Sequence, residues 1–218
     1  MTQEISQQER DNFYKVLYGR RDVRSLFLKD SIPEDCLMRV LHAAHHAPSV
    51  GLSEPWSFVV VSEEDTKQRV YNAFCKANAE ATELFEGERK ALYKNLKLQG
   101  ILDAPINVLV TCDRDRGGSV VLGKTHQPEM DVYSSVCAVQ NLWLAARAEN
   151  IGMGWVSIIH PQALIEIFKL PENIVPIAYL CLGYVEQFDE QPELETRGWA
   201  KRGPLEDVVF RESWQVSK

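Results

Sequence analysis

The sequence contains no run near the roughly 18 apolar residues that a transmembrane helix needs. Its opening Met1-Thr2-Gln3-Glu4 has neither the basic nor the apolar segment of a secretory leader. Cysteine is scarce: Cys36, Cys75, Cys112, Cys137 and Cys181 are odd in number and widely spaced, and none makes a C-x-x-C pair. Reduced, mostly buried thiols in a cytoplasmic setting are the expectation. Positive charge is also in deficit, with 24 Lys and Arg against 31 Asp and Glu and a net charge of −7. The basic footprint of a nucleic-acid binder is therefore missing. Three catalytic signatures are absent too. There is no G-x-G-x-x-G for a dinucleotide and no G-x-S-x-G elbow for a serine nucleophile. His42, His45 and His46 share a helical face, but Ala43 stands where H-E-x-x-H requires Glu, and no acid or cysteine is spaced to complete a metal site.

What is present is an ordinary globular chain of 218 residues, 45% hydrophobic and 25% charged. This length predicts one domain, 1–218, that hides roughly 70% of its unfolded surface without disulfides or metal. Ser6-Gln7-Gln8-Glu9 is a capping box, followed by a helix with Phe13, Tyr14, Val16 and Leu17 inward and Gly19 as its stop. Ser31-Ile32-Pro33-Glu34 starts a second helix with a Leu37, Val40, Leu41, Ala44 stripe, ended by Pro48. Strands are expected at 57–61, 106–111, 153–159 and 177–185, with helices from about 62, over 132–147 and over 161–168. The 132–147 helix should bury Val136, Val139, Trp143 and Ala146, pack Cys137 inside, and leave through a left-handed Asn150. Residues 76–97 are charged and helical in composition, which reads as a lid-like excursion. Residues 186–218 form a polar arm ending near Val208-Val209-Phe210, suited to crossing onto another subunit. Alternating strands and helices give an α+β or α/β class.

Three segments draw attention chemically. Arg20-Arg21-Asp22-Val23-Arg24 gathers three guanidiniums in an acidic chain. The arginine forks match phosphate oxygens, or they form a solvated basic turn. Asp22 among them is expected to be ionised, either orienting the arginines or serving as a base. Ala47-Pro48-Ser49-Val50-Gly51-Leu52-Ser53-Glu54-Pro55-Trp56 is a plain turn or a loop that brings backbone close to a flat ligand. Gly152-Met153-Gly154-Trp155-Val156-Ser157 either lines the face of a planar ring or packs a helix tightly on a strand. Asp131, at the start of the apolar helix, reads as its N-cap.

Arg20-x-Asp22-x-Arg24, the Pro48-Ser49 loop and Gly152-x-Gly154-Trp155 together resemble the flavin-dependent nitroreductase-like superfamily. The run from Pro128-Glu129-Met130-Asp131 through Gln140-Asn141-Leu142-Trp143 to Gly154-Trp155-Val156-Ser157 is similar to the flavin-destructase family of 5,6-dimethylbenzimidazole synthases, with Asn150 where glycine is expected. The resemblance implies a nitroreductase-like fold: a central mixed β-sheet flanked by helices, the C-terminal arm exchanged in a homodimer, and FMN at the subunit interface. It implies that Arg20, Arg21, Arg24 and Arg202 hold the FMN phosphate, near Val23. Pro48, Ser49, Val50 and Leu52 would edge the ring, Trp155, Val156 and Ser157 would cover it, and Lys97 would contribute from the lid. Asp22 and Ser157 are the implied catalytic side chains.

The implied reaction consumes reduced FMN and O₂, with no metal, and releases 5,6-dimethylbenzimidazole and erythrose 4-phosphate. A separate NAD(P)H-flavin reductase would supply the reduced FMN. No nucleic-acid or membrane partner is expected. Two other readings share the arginine cluster: an FMN-dependent NAD(P)H nitro or quinone reductase, and a non-catalytic flavin-storage protein. Asp22 argues against both, because neither needs a base among the phosphate ligands.

Overall fold

A computed structural model describes residues 4–214; Met1 to Gln3 of the opening and 215–218 of the arm lie outside the described residues. Four strands, β1 (Trp56–Val61), β2 (Ile106–Asp113), β3 (Ile151–Val156) and β4 (Ile174–Tyr184), form one sheet in the order β1-β2-β4-β3. Every neighbouring pair is antiparallel, with Trp56 opposite Cys112, Ile106 opposite Leu182 and Ile151 opposite Tyr184. The expected mixed character is confined to one parallel bridge, Asp22 with Met153, which lays the arginine segment along β3.

The alternation of side chains along a strand explains the two cores. Val108 and Val110 of β2 and Ala178, Leu180 and Leu182 of β4 face one side, where they meet α2 (Glu34–His45) and α5 (Met130–Ala148). Leu109, Tyr179 and Cys181 face the other, against α3 (Glu64–Thr82) and α6 (Pro161–Phe168). With helices on both faces, β4 is apolar at almost every position, and β2 is apolar apart from Asn107, Thr111 and Asp113. The model is thus an α+β chain with a helix layer on each side of the sheet.

Several expectations are corrected. The Ser6 capping box is formed, with Ser6 N–H donating to Glu9 Oε2 at 2.8 Å, and it opens α1 (Gln7–Gly19). However, Phe13 is 55% exposed and Tyr14 42% exposed, and α1 buries no residue. Its aromatic stripe points away from its own chain. Ser31 makes no side-chain cap; Pro33 stands at the N-cap of α2. In α5 the buried face is Ser135, Ala138, Val139, Leu142 and Ala146, whereas Val136 and Cys137 are exposed. That face is polar at its start, which hides it from an apolar count. The 76–97 excursion begins inside α3, whose Val70, Phe74 and Ala77 are buried in one stripe, and continues through α4 (Gly87–Lys94). β3 stops at Val156, so Ser157 to Ile159 lie beyond the strand. Asn150 is left-handed, with φ 59°, as expected at a helix exit.

Candidate active site

The arginine segment is held by contacts far away in sequence. Val23 N–H donates to Met153 O at 2.9 Å, and Trp155 N–H donates to Asp22 Oδ1 at 3.1 Å. Glycine is required where this segment meets β3. A Cβ on Gly154 would sit 2.0 Å from Val23 O, inside any tolerable contact. Gly152 and Gly154 therefore serve tight packing, though of the arginine loop on the strand and not of a helix. Trp143, on α5, fixes the other side: its indole N–H donates to Arg21 O at 3.2 Å, and the Arg20 guanidinium lies 4.6 Å above its ring.

Arg20, Arg21, Asp22 and Arg24 line a cleft of about 130 Å³ that Pro192, Glu193, Leu194 and Arg202 complete from the C-terminal tail, so that four arginines face two carboxylates. Whole-ligand pockets run to roughly 300–1,000 Å³, so this cleft suits one group of a larger ligand. Its charge points to an anion. Among the described residues, Arg20, Arg21 and Arg202 pair with no carboxylate; Arg21 gives Nη1 and Nη2 to the carbonyls of Tyr18, Arg20 and Glu190, while its buried Nε has no partner. Burial pushes the Arg20 guanidinium down; the Asp22 charge opposes this, and Arg21 and Arg202 push further in the same direction. A phosphate would relieve that crowding. The residues present thus fit the phosphate end of FMN.

Asp22 departs from expectation. Arg24 is ion-paired to its Oδ2, and the sequence suggested that such cations would dominate. Instead burial is the largest influence and raises the pKa, with Arg24, the Trp155 N–H and Arg20 opposing it in that order. The carboxyl opens to the cleft, with 28% of its side chain exposed, and is enclosed by protein elsewhere. A raised pKa makes it a stronger proton acceptor when ionised.

The other expected site residues lie apart from this cleft. Val50 N–H donates to Ser134 Oγ on α5 at 3.1 Å, and Ser49 Oγ accepts from Glu54 N–H at 3.0 Å. Pro48 and Leu52 are exposed, and Leu52 is left-handed with φ 52°. This loop presents a surface, not a pocket wall shared with the arginines. Lys97 is paired with Asp103 at 2.7 Å and does not line the cleft. The Val156 side chain is turned into the second core, which leaves only its backbone for a ligand. Ser157 is exposed just past β3. Asp131 is not the N-cap of α5, a position that Glu129 holds. It is buried and ion-paired with Arg114 at 2.8 Å and with Lys124. Two contributors escaped sequence reasoning: Trp143, read as core, and Leu194 of the tail. A half-buried indole needing an acceptor was the available signal for Trp143. The described residues contain no cluster of three metal-binding side chains, and no described helix is long and apolar enough to cross a membrane.

Residues 17–184 match the model of the Nitroreductase family. A 5,6-dimethylbenzimidazole synthase of Rhodospirillum rubrum is 40% identical over 195 residues, covering 89% of this chain and 92% of the relative. One from Rhodobacter capsulatus is 38% identical over 202 residues, covering 93% and 97%. Among solved structures, oxidized iodotyrosine deiodinase bound to FMN and 3-iodo-L-tyrosine superposes with a TM-score of 0.72 at 19% identity, covering 93% of this chain and 100% of that one. That likeness speaks to the fold. The chain belongs to the nitroreductase family and, within it, to the group of the 5,6-dimethylbenzimidazole synthases.

Proposed function

We propose that this chain cleaves reduced FMN in the presence of O₂, releasing 5,6-dimethylbenzimidazole, the lower ligand of cobalamin, and erythrose 4-phosphate, with the pyrimidine part of the flavin ring leaving as a third fragment. The observation that carries the reading is a carboxylate, Asp22, held by the Trp155 N–H at an anion cleft lined by arginines, with burial pushing its pKa up. Asp22 pairs with Arg24 through Oδ2 and still opens to the cleft, so it can orient that arginine and also accept a proton. The naming of the relatives from Rhodospirillum rubrum and Rhodobacter capsulatus supports the same reaction.

Bound reduced FMN, with O₂, supplies the redox chemistry. The chain's residues bind, orient and move a proton. Arg20, Arg21, Arg24 and Arg202 hold the phosphate, so that binding energy is gained away from the reacting atoms. Asp22, its Oδ1 fixed by the Trp155 N–H, takes a proton from the ribityl side, a role worth about 10²–10⁴-fold. The Ser157 hydroxyl positions the flavin. Pro48, Ser49, Val50 and Leu52 edge the ring, Trp155 and the Val156 backbone cover it, and the 76–97 region with Lys97 closes over it to exclude water.

The 48–52 loop comes from a second copy in this reading, because the arginine cleft is too small for the ring. Exposed Phe13, Tyr14 and Tyr18 on α1 and exposed Leu205, Val208 and Val209 on the tail supply the apolar surface for a homodimer in which the end of the arm, beyond Arg202, crosses to the partner. A separate NAD(P)H-flavin reductase delivers reduced FMN, and the reaction runs in the cytoplasm. To test the reaction, protein and reduced FMN are mixed without oxygen, air is admitted, and products are identified by mass spectrometry. Benzimidazole and erythrose 4-phosphate in equal amounts are expected. Full recovery of oxidised FMN contradicts the reading.

A further inference from the structure

We infer that Trp199 is a positioning residue for the anion cleft: it fastens the C-terminal tail to the α3–α4 turn and so holds Arg202 beside Arg20 and Arg21. This rests on the reading of that cleft as a phosphate site.

The tail reaches the cleft through the short helix α7 (Glu193–Thr196), whose Leu194 is part of the lining. Gly198, with φ 75°, then turns the chain, and Trp199 N–H closes back on Leu194 O at 2.8 Å. The Trp199 ring enters an aromatic pair on the other side. It stands edge-on to Phe85, with centroids 5.4 Å apart, and 6.1 Å from Tyr93. The Arg89 guanidinium of α4 lies 3.5 Å over the ring and donates to Trp199 O at 2.9 Å. Three residues later Arg202 lines the cleft.

Among the described residues, no hydrogen bond or ion pair joins residues 201–214 to the rest of the chain; the bonds there, Asp207 N–H to Pro204 O and Ser213 N–H to Arg211 O, are local. Trp199 is therefore the last fastening before Arg202. An arginine on a free segment must lose its freedom when it grips an anion, whereas one already fixed in place does not. Trp199 thus acts on the phosphate through Arg202, and it links the α3–α4 region to the cleft.

The test compares FMN with riboflavin, which lacks the phosphate, in equilibrium titrations followed by flavin fluorescence. Arg202→Ala should cut the preference for FMN by about tenfold, in line with one charged hydrogen bond. Trp199→Ala should cut it by about five- to tenfold while leaving riboflavin affinity unchanged, and Trp199→Phe should restore most of it. The Trp199→Ala/Arg202→Ala double variant should be no worse than Arg202→Ala alone, because the two act through one contact. Arg89→Gln, which removes the guanidinium over the Trp199 ring but changes no cleft residue, should give a smaller loss in the same direction and carries the test if Trp199→Ala does not fold. An FMN preference within twofold of wild type in Trp199→Ala, no loss in Arg89→Gln, or effects that multiply in the double variant overturns the inference. A wild-type protein that binds both flavins equally overturns the phosphate reading itself.

Discussion

Trp155 donates its backbone N–H to Oδ1 of Asp22 at 3.1 Å, across 133 positions of sequence. Two motifs that look independent in the sequence, Arg20-x-Asp22-x-Arg24 and Gly152-x-Gly154-Trp155, are two halves of one junction. The strand supplies the donor, and the missing side chain of Gly154 supplies the room. The carboxyl is thereby fixed at Oδ1 by backbone geometry and at Oδ2 by the Arg24 side chain.

Gly154→Ala should break this junction. Its Cβ would fall 2.0 Å from Val23 O, a backbone atom that cannot swing aside. A destabilisation of about 3 kcal/mol is expected, at the upper end for overpacking, together with loss of FMN binding. Urea unfolding and a flavin titration check both. A variant with wild-type midpoint and wild-type affinity would show that the close approach is not needed.

Replacing Arg20 isolates the anion site, since Arg20 has no carboxylate partner among the described residues. Arg20→Ala should weaken FMN binding by about 1.5–3 kcal/mol, the range for hydrogen bonds to charged groups, and leave riboflavin binding nearly unchanged. Arg24→Ala should weaken FMN by a similar amount and also push the Asp22 pKa higher, because the main opposing cation is gone. Calorimetric titrations with the two flavins provide the comparison.

Stability should carry the mark of Asp22 as well. Its folded-state pKa lies above the ordinary value of 3.8, with burial the chief cause. Its favourable contribution to folding is therefore complete below 3.8 and is lost as the pH climbs through the raised value. Asp22→Asn, which mimics the neutral form, should gain thermal stability relative to wild type as pH rises from about 4 to 7. Melting curves of both proteins across that range measure the gap. A gap that narrows with rising pH would mean that the arginines outweigh burial.

The unburied aromatic face of α1 bears on assembly. Phe13 is 55% and Tyr18 70% exposed, and Tyr14 stacks on Tyr18 with centroids 5.5 Å apart. An isologous dimer that covers this face is expected, and Phe13→Glu should dissociate it and lower flavin affinity together. Sedimentation velocity at several concentrations, paired with the titration, tests this. A wild-type monomer that converts reduced FMN at full rate would remove the second subunit from the site.

Much of this architecture was legible in the sequence because the signals were local. The Ser6–Glu9 box, the Pro161 helix start and the left-handed Asn150 each act within a few residues of where they are read. The arginine cluster was legible as charge. Its partners were not, because Trp143, Gly154 and Leu194 reach it only through the fold. The burial of Asp22 is illegible for the same reason. Neighbouring cations are visible in the chain, whereas burial depends on what the sheet and tail bring to cover it. Val139 and Ala146 of the expected α5 face are buried, but Ser135 takes the place of Val136, because its hydroxyl is satisfied on Asp131 O at 3.0 Å and so tolerates the core.

The central claim is that Asp22 is the base in the breakdown of reduced FMN, and single-turnover product yield tests it most directly. Wild type and Asp22→Asn are each loaded with one equivalent of reduced FMN, exposed to oxygen and quenched, and 5,6-dimethylbenzimidazole is measured per flavin consumed. The variant should bind reduced FMN as wild type does but form benzimidazole about 10²-fold more slowly or worse, returning oxidised FMN and hydrogen peroxide instead. Ser157→Ala should shift the yield in the same direction, less severely. Benzimidazole formed by Asp22→Asn at the wild-type rate would contradict the claim and leave Asp22 with a structural role alone.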